Sequence, residues 1–331
     1  MGAEGFRRIC LVHAGALGDF VLALRLVSLF KSAWPRTTLD VLGRPETASL
    51  ALGRAGVDGL ASLEMPGLHT FFAESIPLEP RCAAYFQRFD LIVDMLGGPG
   101  RLFARRLGQA CSARVVSIEV KPRPACTQHI TDQWIGDLLG AGVGLHDPHQ
   151  PPPRLPFEAA QRFEARARLQ ELMRTAAQPI VLIHPGAGSP KKCWPLASFQ
   201  ALAATLRQSG VQPVFVVGPV ELERHGPPLV RALEESAPVL QRLNIMEAAA
   251  LIAAADAYVG NDCGMTHLAA AVETATVALF GPTDPAVWRP LGAGVRVLGG
   301  RAGQAEPFAG LDVATVHRAV LACLESPPRP A

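Results

Sequence analysis

Short apolar runs alternate along this chain with stretches whose hydrophobic positions recur every three to four residues. The runs at 8–13, 38–42, 90–96 and 114–118 are too short for helices and rich in Val, Ile and Leu. They lack the polar alternation of a half-exposed strand, so they predict strands buried on both faces, as in a parallel sheet. An amphipathic or Ala/Leu-rich stretch follows each of them. The pattern then breaks at Asp147-Pro-His-Gln-Pro-Pro-Pro-Arg-Leu-Pro156, whose prolines continue neither a helix nor a central strand. Beyond it the alternation resumes with a helix over 158–175, strands at 179–184, 212–217, 257–259, 276–280 and 295–298, and a last helix over 311–324.

Strand–helix alternation on both sides of a proline segment predicts two parallel-sheet α/β domains. The expected organisation is a first domain over 1–150, a linker over 151–157, a second domain over 158–310, and a C-terminal helix and tail over 311–331. Ligands of such sheets bind beyond the C-terminal ends of the strands, and two facing domains make a cleft there.

Composition narrows the picture modestly. The 331 residues suit two domains of ordinary size. With 49% hydrophobic residues the chain is not a disordered one. A net charge of +2, from 31 basic and 29 acidic residues, gives no ground for nucleic-acid binding. A local basic group exists at Arg101, Arg105 and Arg106, with Lys121 and Arg123 beyond it. Singly each reads as part of a solvated helix face; together they offer an anionic acceptor, or membrane headgroups, a counter-charge. Seven scattered cysteines without a Cys-x-x-Cys pair fit reduced thiols in a cytosolic protein and no zinc framework. His13, Asp19 and Arg25 interrupt the N-terminal apolar run, and no run reaches the roughly eighteen apolar residues of a membrane span. A soluble protein, at most peripheral to the inner membrane, is the expectation.

The candidate chemistry lies at predicted strand ends. Gly260-Asn-Asp-Cys-Gly-Met-Thr-His267 follows one strand and opens a helix. A helix start carries about half a positive charge and free N–H donors, so it favours an anion such as a diphosphate. Asp262 as a cap and His267 as a satisfied helix histidine are respectable readings singly, but their combination with Gly264 and Thr266 points to a site. Cys263 reads as a small residue filling a tight turn rather than as a nucleophile. The loop His184-Pro-Gly-Ala-Gly-Ser-Pro-Lys-Lys-Cys-Trp-Pro195 gathers Gly, Ser189 and Lys192 at another strand end, where a lysine serves a diphosphate as a point charge. Glu221, after Val217-Gly218-Pro219, suits either ribose hydroxyls or the first turn of a helix. Thr283 and Asp284 read as caps of a turn. Gly15-Ala-Leu-Gly-Asp19 follows the first strand and is not the G-x-G-x-x-G dinucleotide fingerprint. Asp19 fits a helix cap and a general base equally well, and one residue can do both.

These motifs, in this order, resemble glycosyltransferase family 9, the heptosyltransferase family of lipopolysaccharide core assembly. The resemblance rests on Gly18-Asp19, the loop from His184 through Lys192 with Trp194-Pro195, Val217-Gly218-Pro219 with Glu221, and Asn261-Asp-Cys-Gly-Met-Thr-His-Leu-Ala-Ala270. It implies a GT-B fold, two Rossmann-like domains facing across a cleft, with acceptor on the N-terminal and donor on the C-terminal domain. It further implies inverting, metal-independent transfer of heptose from ADP-heptose to a glycan or glycolipid acceptor, with no cofactor beyond the nucleotide sugar. Asp19 would be the general base. Ser189, Lys192, Glu221, Asp262, Gly264, Met265, Thr266 and His267 would hold the donor, and Gly18, Arg101 and Arg105 would lie on the acceptor side. Two departures stand out: the first helix lacks the proline common in the family, and Met95-Leu-Gly-Gly-Pro-Gly100 matches no assigned role. A nucleotide-sugar-binding protein without catalysis is the alternative, ahead of an epimerase of the same fold; an oxidoreductase is the weakest reading.

Overall fold

The computed structural model describes residues 5–97, 101–145, 154–174, 178–300 and 308–325. Residues 151–153 of the predicted linker, 146–150 ahead of it, and 98–100 of the loop after the predicted strand at 90–96 lie outside the described residues. The chain divides into two compact units, Met1–Pro153 and Arg154–Ala331.

The first unit runs β1 (Arg8–Val12), α1 (Leu17–Ala33), β2 (Thr38–Gly43), α2 (Pro45–Ala48), β3 (Gly59–Ser62), α3 (Pro80–Phe86), β4 (Leu91–Asp94), α4 (Leu102–Ala110), β5 (Arg114–Ser117) and α5 (Ile130–Gly140). Its sheet has the order β3-β2-β1-β4-β5, parallel throughout. Residues 9–12 of β1 and all of β4 are buried, which explains the apolar sequences Ile9–Val12 and Leu91–Val93. On one side Phe71, Phe86 and Phe103 pack into a cluster with Val12 and Ile92.

The second unit runs α6 (Ala159–Met173), β6 (Ile180–His184), α7 (Leu196–Gln208), β7 (Gln212–Val217), α8 (Pro219–Glu234), β8 (Val239–Gln241), α9 (Ile245–Ala254), β9 (Ala257–Asn261), α10 (Gly264–Ala271), β10 (Thr276–Phe280), α11 (Pro285–Trp288), β11 (Val295–Gly299) and α12 (Val313–Glu325). The sheet order is β11-β10-β9-β6-β7-β8, again all parallel. In both sheets the strand order reverses beside the unit's first strand, between β1 and β4 and between β6 and β9. Loops leaving the sheet at such a reversal diverge and open a crevice, where α/β proteins bind ligands.

Strands predicted at 212–217 and 276–280 coincide with β7 and β10. The run at 90–96 pairs only as far as Asp94, because the Asp94 carboxylate turns the chain by accepting the Leu96 N–H at 2.9 Å. Two edge strands escape the pattern: β3 reads Gly-Leu-Ala-Ser, without a β-branched residue, and β8 is three residues long. The final helix is not an appendage. α12 packs on α7, β9 and β10 and places Val316, Val320 and Cys323 in the second core, so the boundary expected at 310 does not separate it from the second unit. Among the described residues no helix is long and apolar enough to cross a membrane.

Candidate functional site

In the second unit the strand order reverses between β6 and β9, where His184 pairs with Gly260. The two strands end side by side there, and Asn261, at the end of β9, holds the loop that follows β6. Fully buried, its amide nitrogen donates to the carbonyls of Pro185 (2.8 Å) and Gly186 (3.2 Å), while its oxygen accepts the Trp194 N–H at 2.9 Å. One side chain thereby fixes both ends of the loop that carries Ser189 and Lys192. Lys192 closes a short 3-10 turn, Pro190–Lys192, and its Nζ donates to Asp262 Oδ2 at 2.7 Å. Asp262 is buried and Lys192 about a third exposed, so the cation keeps a free face.

Immediately after Asp262 the chain enters α10 with Cys263 as N-cap. Cys263, Gly264 and Met265 are the partly exposed residues of this start, while Thr266 and His267 are buried. The first N–H groups of a helix have no carbonyl within it, so those of Gly264 and Met265 stand beside the Lys192–Asp262 pair. The arrangement brings a lysine, from the loop that also carries Ser189, to the start of α10.

Several sequence expectations need correction in detail. Asp262 does not cap α10; its carboxylate serves Lys192 instead. Thr266 does not present its hydroxyl outward, because Oγ1 donates to the Asn261 carbonyl at 2.5 Å and lies near the Tyr258 hydroxyl. Glu221 is the first-turn glutamate that the sequence allowed: Oε2 accepts the Gly218 N–H at 2.9 Å. Its other oxygen lies over Gly186, where an added Cβ would come within 2.0 Å; this explains a glycine at that position. Asp284 caps α11 by accepting the Ala286 N–H at 2.8 Å. Sequence reasoning gave no separate role to Asn261, nor to His184, whose buried Nδ1 meets the Val216 carbonyl at 2.8 Å.

A pocket of about 360 Å³ adjoins the loop after β6. Pro185, Gly186 and Cys193 line one side; Glu221, Arg224 and Pro228 line the other. The helix α8 makes room for it by breaking at Gly226, whose φ of 61° suits glycine and is followed by Pro227 and Pro228. Arg224 lies along the loop, donating to the carbonyls of Ala187 and Gly188 at 3.3 Å each.

In the first unit, Asp19 stands in the first turn of α1, three residues after the N-cap Ala16, and Oδ2 accepts the Ala16 N–H at 3.3 Å. It is therefore not the N-cap itself but reaches back to it, and it is partly exposed. Gly18 precedes it in the same turn. Gly15 must be small here, since an added Cβ would lie 2.9 Å from the His13 ring and 3.0 Å from Asp19 Cβ. His13 is buried, and burial, aided by the charge of Arg44, lowers its pKa to about 4. The basic group is largely committed. Arg106 is buried and donates to the carbonyls of Thr70 and Ile76, and Arg123 pairs with Asp137. Arg105 meets Glu74 at 2.5 Å in an exposed pair, worth no more than about 1 kcal/mol, so an incoming anion can compete for it. Arg101, exposed, is the N-cap of α4 with φ 50°.

The family model of glycosyltransferase family 9 (heptosyltransferase) matches residues 108–313. Lipopolysaccharide heptosyltransferase 2 of Escherichia coli K12 is 33% identical over 312 residues, covering 88% of this chain and 87% of that protein. Lipopolysaccharide heptosyltransferase 3 of the same strain is 34% identical over 290 residues, 82% of each. A shorter match, 34% over 146 residues, spans 42% of lipooligosaccharide heptosyltransferase 2 of Haemophilus influenzae. Among solved structures, the glycosyl transferase family 9 protein of Veillonella parvula superposes with a TM-score of 0.77 at 19% identity, covering 97% of this chain and 98% of that one. The E. coli ADP-heptose lipopolysaccharide heptosyltransferase II superposes with a TM-score of 0.74 at 20% identity, covering 96% and 98%. The fold is GT-B.

Proposed function

The chain belongs to glycosyltransferase family 9, the heptosyltransferase family of lipopolysaccharide core assembly, and is a glycosyltransferase; on that premise we propose that it moves heptose from ADP-heptose to a lipopolysaccharide core acceptor. Transfer proceeds with inversion, in one displacement, and without a metal ion. The observation that carries this reading is the Lys192–Asp262 pair beside the start of α10. It brings two motifs far apart in sequence into one anion-binding corner of the second unit.

The donor diphosphate takes the exposed face of Lys192, the Ser189 hydroxyl and the N–H groups of Gly264 and Met265. Negative charge grows on the departing diphosphate as the glycosidic bond breaks, and donors fixed in advance stabilise it without reorganising. The nucleoside occupies the pocket between the loop and α8, whose volume suits a ligand of that size, with Glu221 at its wall. The acceptor hydroxyl loses its proton to Asp19 as its oxygen attacks the anomeric carbon, a contribution of roughly 10²–10⁴-fold. Gly18, Arg101 and Arg105 lie in the unit that takes the acceptor, and an anionic glycolipid at the inner membrane is the partner that this basic group suits.

Incubating the protein with ADP-heptose, a heptose-acceptor core glycolipid and a chelator tests the reading. Transfer should continue in the chelator and yield a product whose anomeric configuration is opposite to the donor's. Retention, or strict dependence on metal, would overturn the mechanism. Tight ADP binding with neither transfer nor donor hydrolysis would favour the non-catalytic binding protein.

A further inference from the structure

His13 is a polar ring without a task in the transfer scheme, and it stands where the first sheet reverses. Val12, the last residue of β1, pairs with Leu42 on one flank and with Asp94 on the other. The next backbone N–H, that of His13, donates to the Leu42 carbonyl at 2.9 Å, which holds the residue at the strand end. His13 is only 4% exposed. Its ring packs against Phe20, with centroids 5.6 Å apart, a contact that an apolar side chain would make as well. Among the described residues no hydrogen bond engages either ring nitrogen. A buried imidazole without a polar partner is costly, so its nitrogens are available to a ligand.

The orientation of the ring says where that ligand stands. A Cβ added to Gly15 would lie 2.9 Å from both Cε1 and Nε2 of His13, and 3.0 Å from Asp19 Cβ. The outer edge of the imidazole therefore faces the turn that carries Asp19, and Gly15 keeps the space between them clear. Burial first, and then the charge of Arg44 at the start of α2, bring the His13 pKa down to about 4. A cation here would hold the Asp19 carboxylate in an ion pair and weaken it as a base; a neutral ring leaves it free. A neutral imidazole also offers one donor and one acceptor, the same pair that a sugar hydroxyl presents.

We infer that His13 is an acceptor-binding residue, whose imidazole edge takes a hydroxyl of the acceptor sugar beside the one that Asp19 deprotonates. This rests on the role proposed for Asp19. Holding one hydroxyl fixes how the sugar ring is turned, so the neighbouring oxygen meets the base in one orientation.

Transfer kinetics with ADP-heptose and a de-O-acylated heptose-acceptor core glycolipid test the inference in two variants. His13→Leu keeps an apolar body against Phe20 and removes both polar atoms. It should raise the acceptor KM about tenfold, the worth of one hydrogen bond, with a smaller effect on kcat and the donor KM as in the wild type. His13→Gln, which keeps a donor and an acceptor, should recover most of the loss. An acceptor KM unchanged in His13→Leu, or donor and acceptor KM rising together, would overturn the inference. Should His13→Leu fail to fold, nuclear magnetic resonance of the wild-type protein carrying isotope-labelled histidine takes its place, the His13 signal being the one absent from His13→Gln. That signal should shift on addition of the glycolipid and stay in place with ADP alone; a signal indifferent to the glycolipid overturns the inference. A shift without any transfer keeps the acceptor site and removes the proposed reaction, whereas transfer with an unmoved His13 signal does the reverse.

Discussion

The two sheets reverse their strand order in the same way but equip the reversal with opposite chemistry. Beyond β6 and β9 stand a lysine, a serine and a helix start, and Asn261, at the end of β9, holds the loop that carries the first two. Beyond β1 and β4 stand two carboxylates. Asp19 is partly exposed, and its carboxylate reaches back to accept the Ala16 N–H at its own helix start at 3.3 Å. Asp94 is buried, its pKa raised by that burial and restrained by bonds from the Leu96 N–H and the Ser117 hydroxyl. The topology thus decides where a ligand goes, and a handful of side chains decide which charge it carries. On the proposed reading an anion takes the second reversal and a group about to lose a proton takes the first.

The contrast can be broken most severely at Asp19. Asp19→Asn keeps the size and the helix contact but removes the base, so turnover should fall roughly 10²–10⁴-fold. Calorimetry should show ADP binding nearly unchanged, because Asp19 belongs to the other unit. Unchanged turnover would remove the division of labour between the units.

Asn261→Ala should come next. It leaves the Pro185 and Gly186 carbonyls and the Trp194 N–H without their partner, at a cost of about 2–3 kcal/mol. Urea unfolding would reveal the loss, together with weaker ADP binding as the loop loosens. Full stability in this variant would mean that the second corner is not held by its amide.

Lys192→Ala should weaken ADP binding by roughly tenfold to a hundredfold, the worth of a charge-assisted contact. Its effect on turnover at saturating donor should be smaller than that of Asp19→Asn. An equal loss in both quantities would assign the lysine to the transition state alone.

The smallest effect is a slope. His13 has its pKa lowered from 6.5 to about 4 in the folded state, so it stays neutral where the unfolded chain would take up a proton. The stability it contributes is whole above pH 6.5 and is lost as pH falls through about 4, at no more than about 1.4 kcal/mol per pH unit. His13→Gln should flatten that part of the urea midpoint against pH, and an unchanged slope would place the titration elsewhere.

Much of this architecture is written in the chain locally. Strands β7 and β10 are buried on every side, so their apolar runs mark their ends; β3 and β8, at the edges, are paid little attention by the core and leave no such mark. Lys192 and the start of α10 were legible because a cation in a Gly/Ser loop and a helix opening after a strand are local signals. Asn261 and His184 were not, because their partners lie on other strands and loops. The direction of the Thr266 hydroxyl was not legible for the same reason: which way it turns at a strand-to-helix junction depends on the carbonyl behind it, here that of Asn261. The basic group on α4 shows the converse, since the carbonyls that engage Arg106 come from a distant loop.

One contact of the donor loop reaches to the far end of the chain. The Trp194 indole N–H donates to the Leu311 carbonyl at 3.1 Å, just ahead of α12, which packs on α7 directly behind that loop. On the ribosome the loop is made well before either partner. Domains fold as units during synthesis, so this loop of the second unit acquires its finished frame only after α12 has emerged. Until then the growing chain carries Ser189 and Lys192 without the frame that aims them.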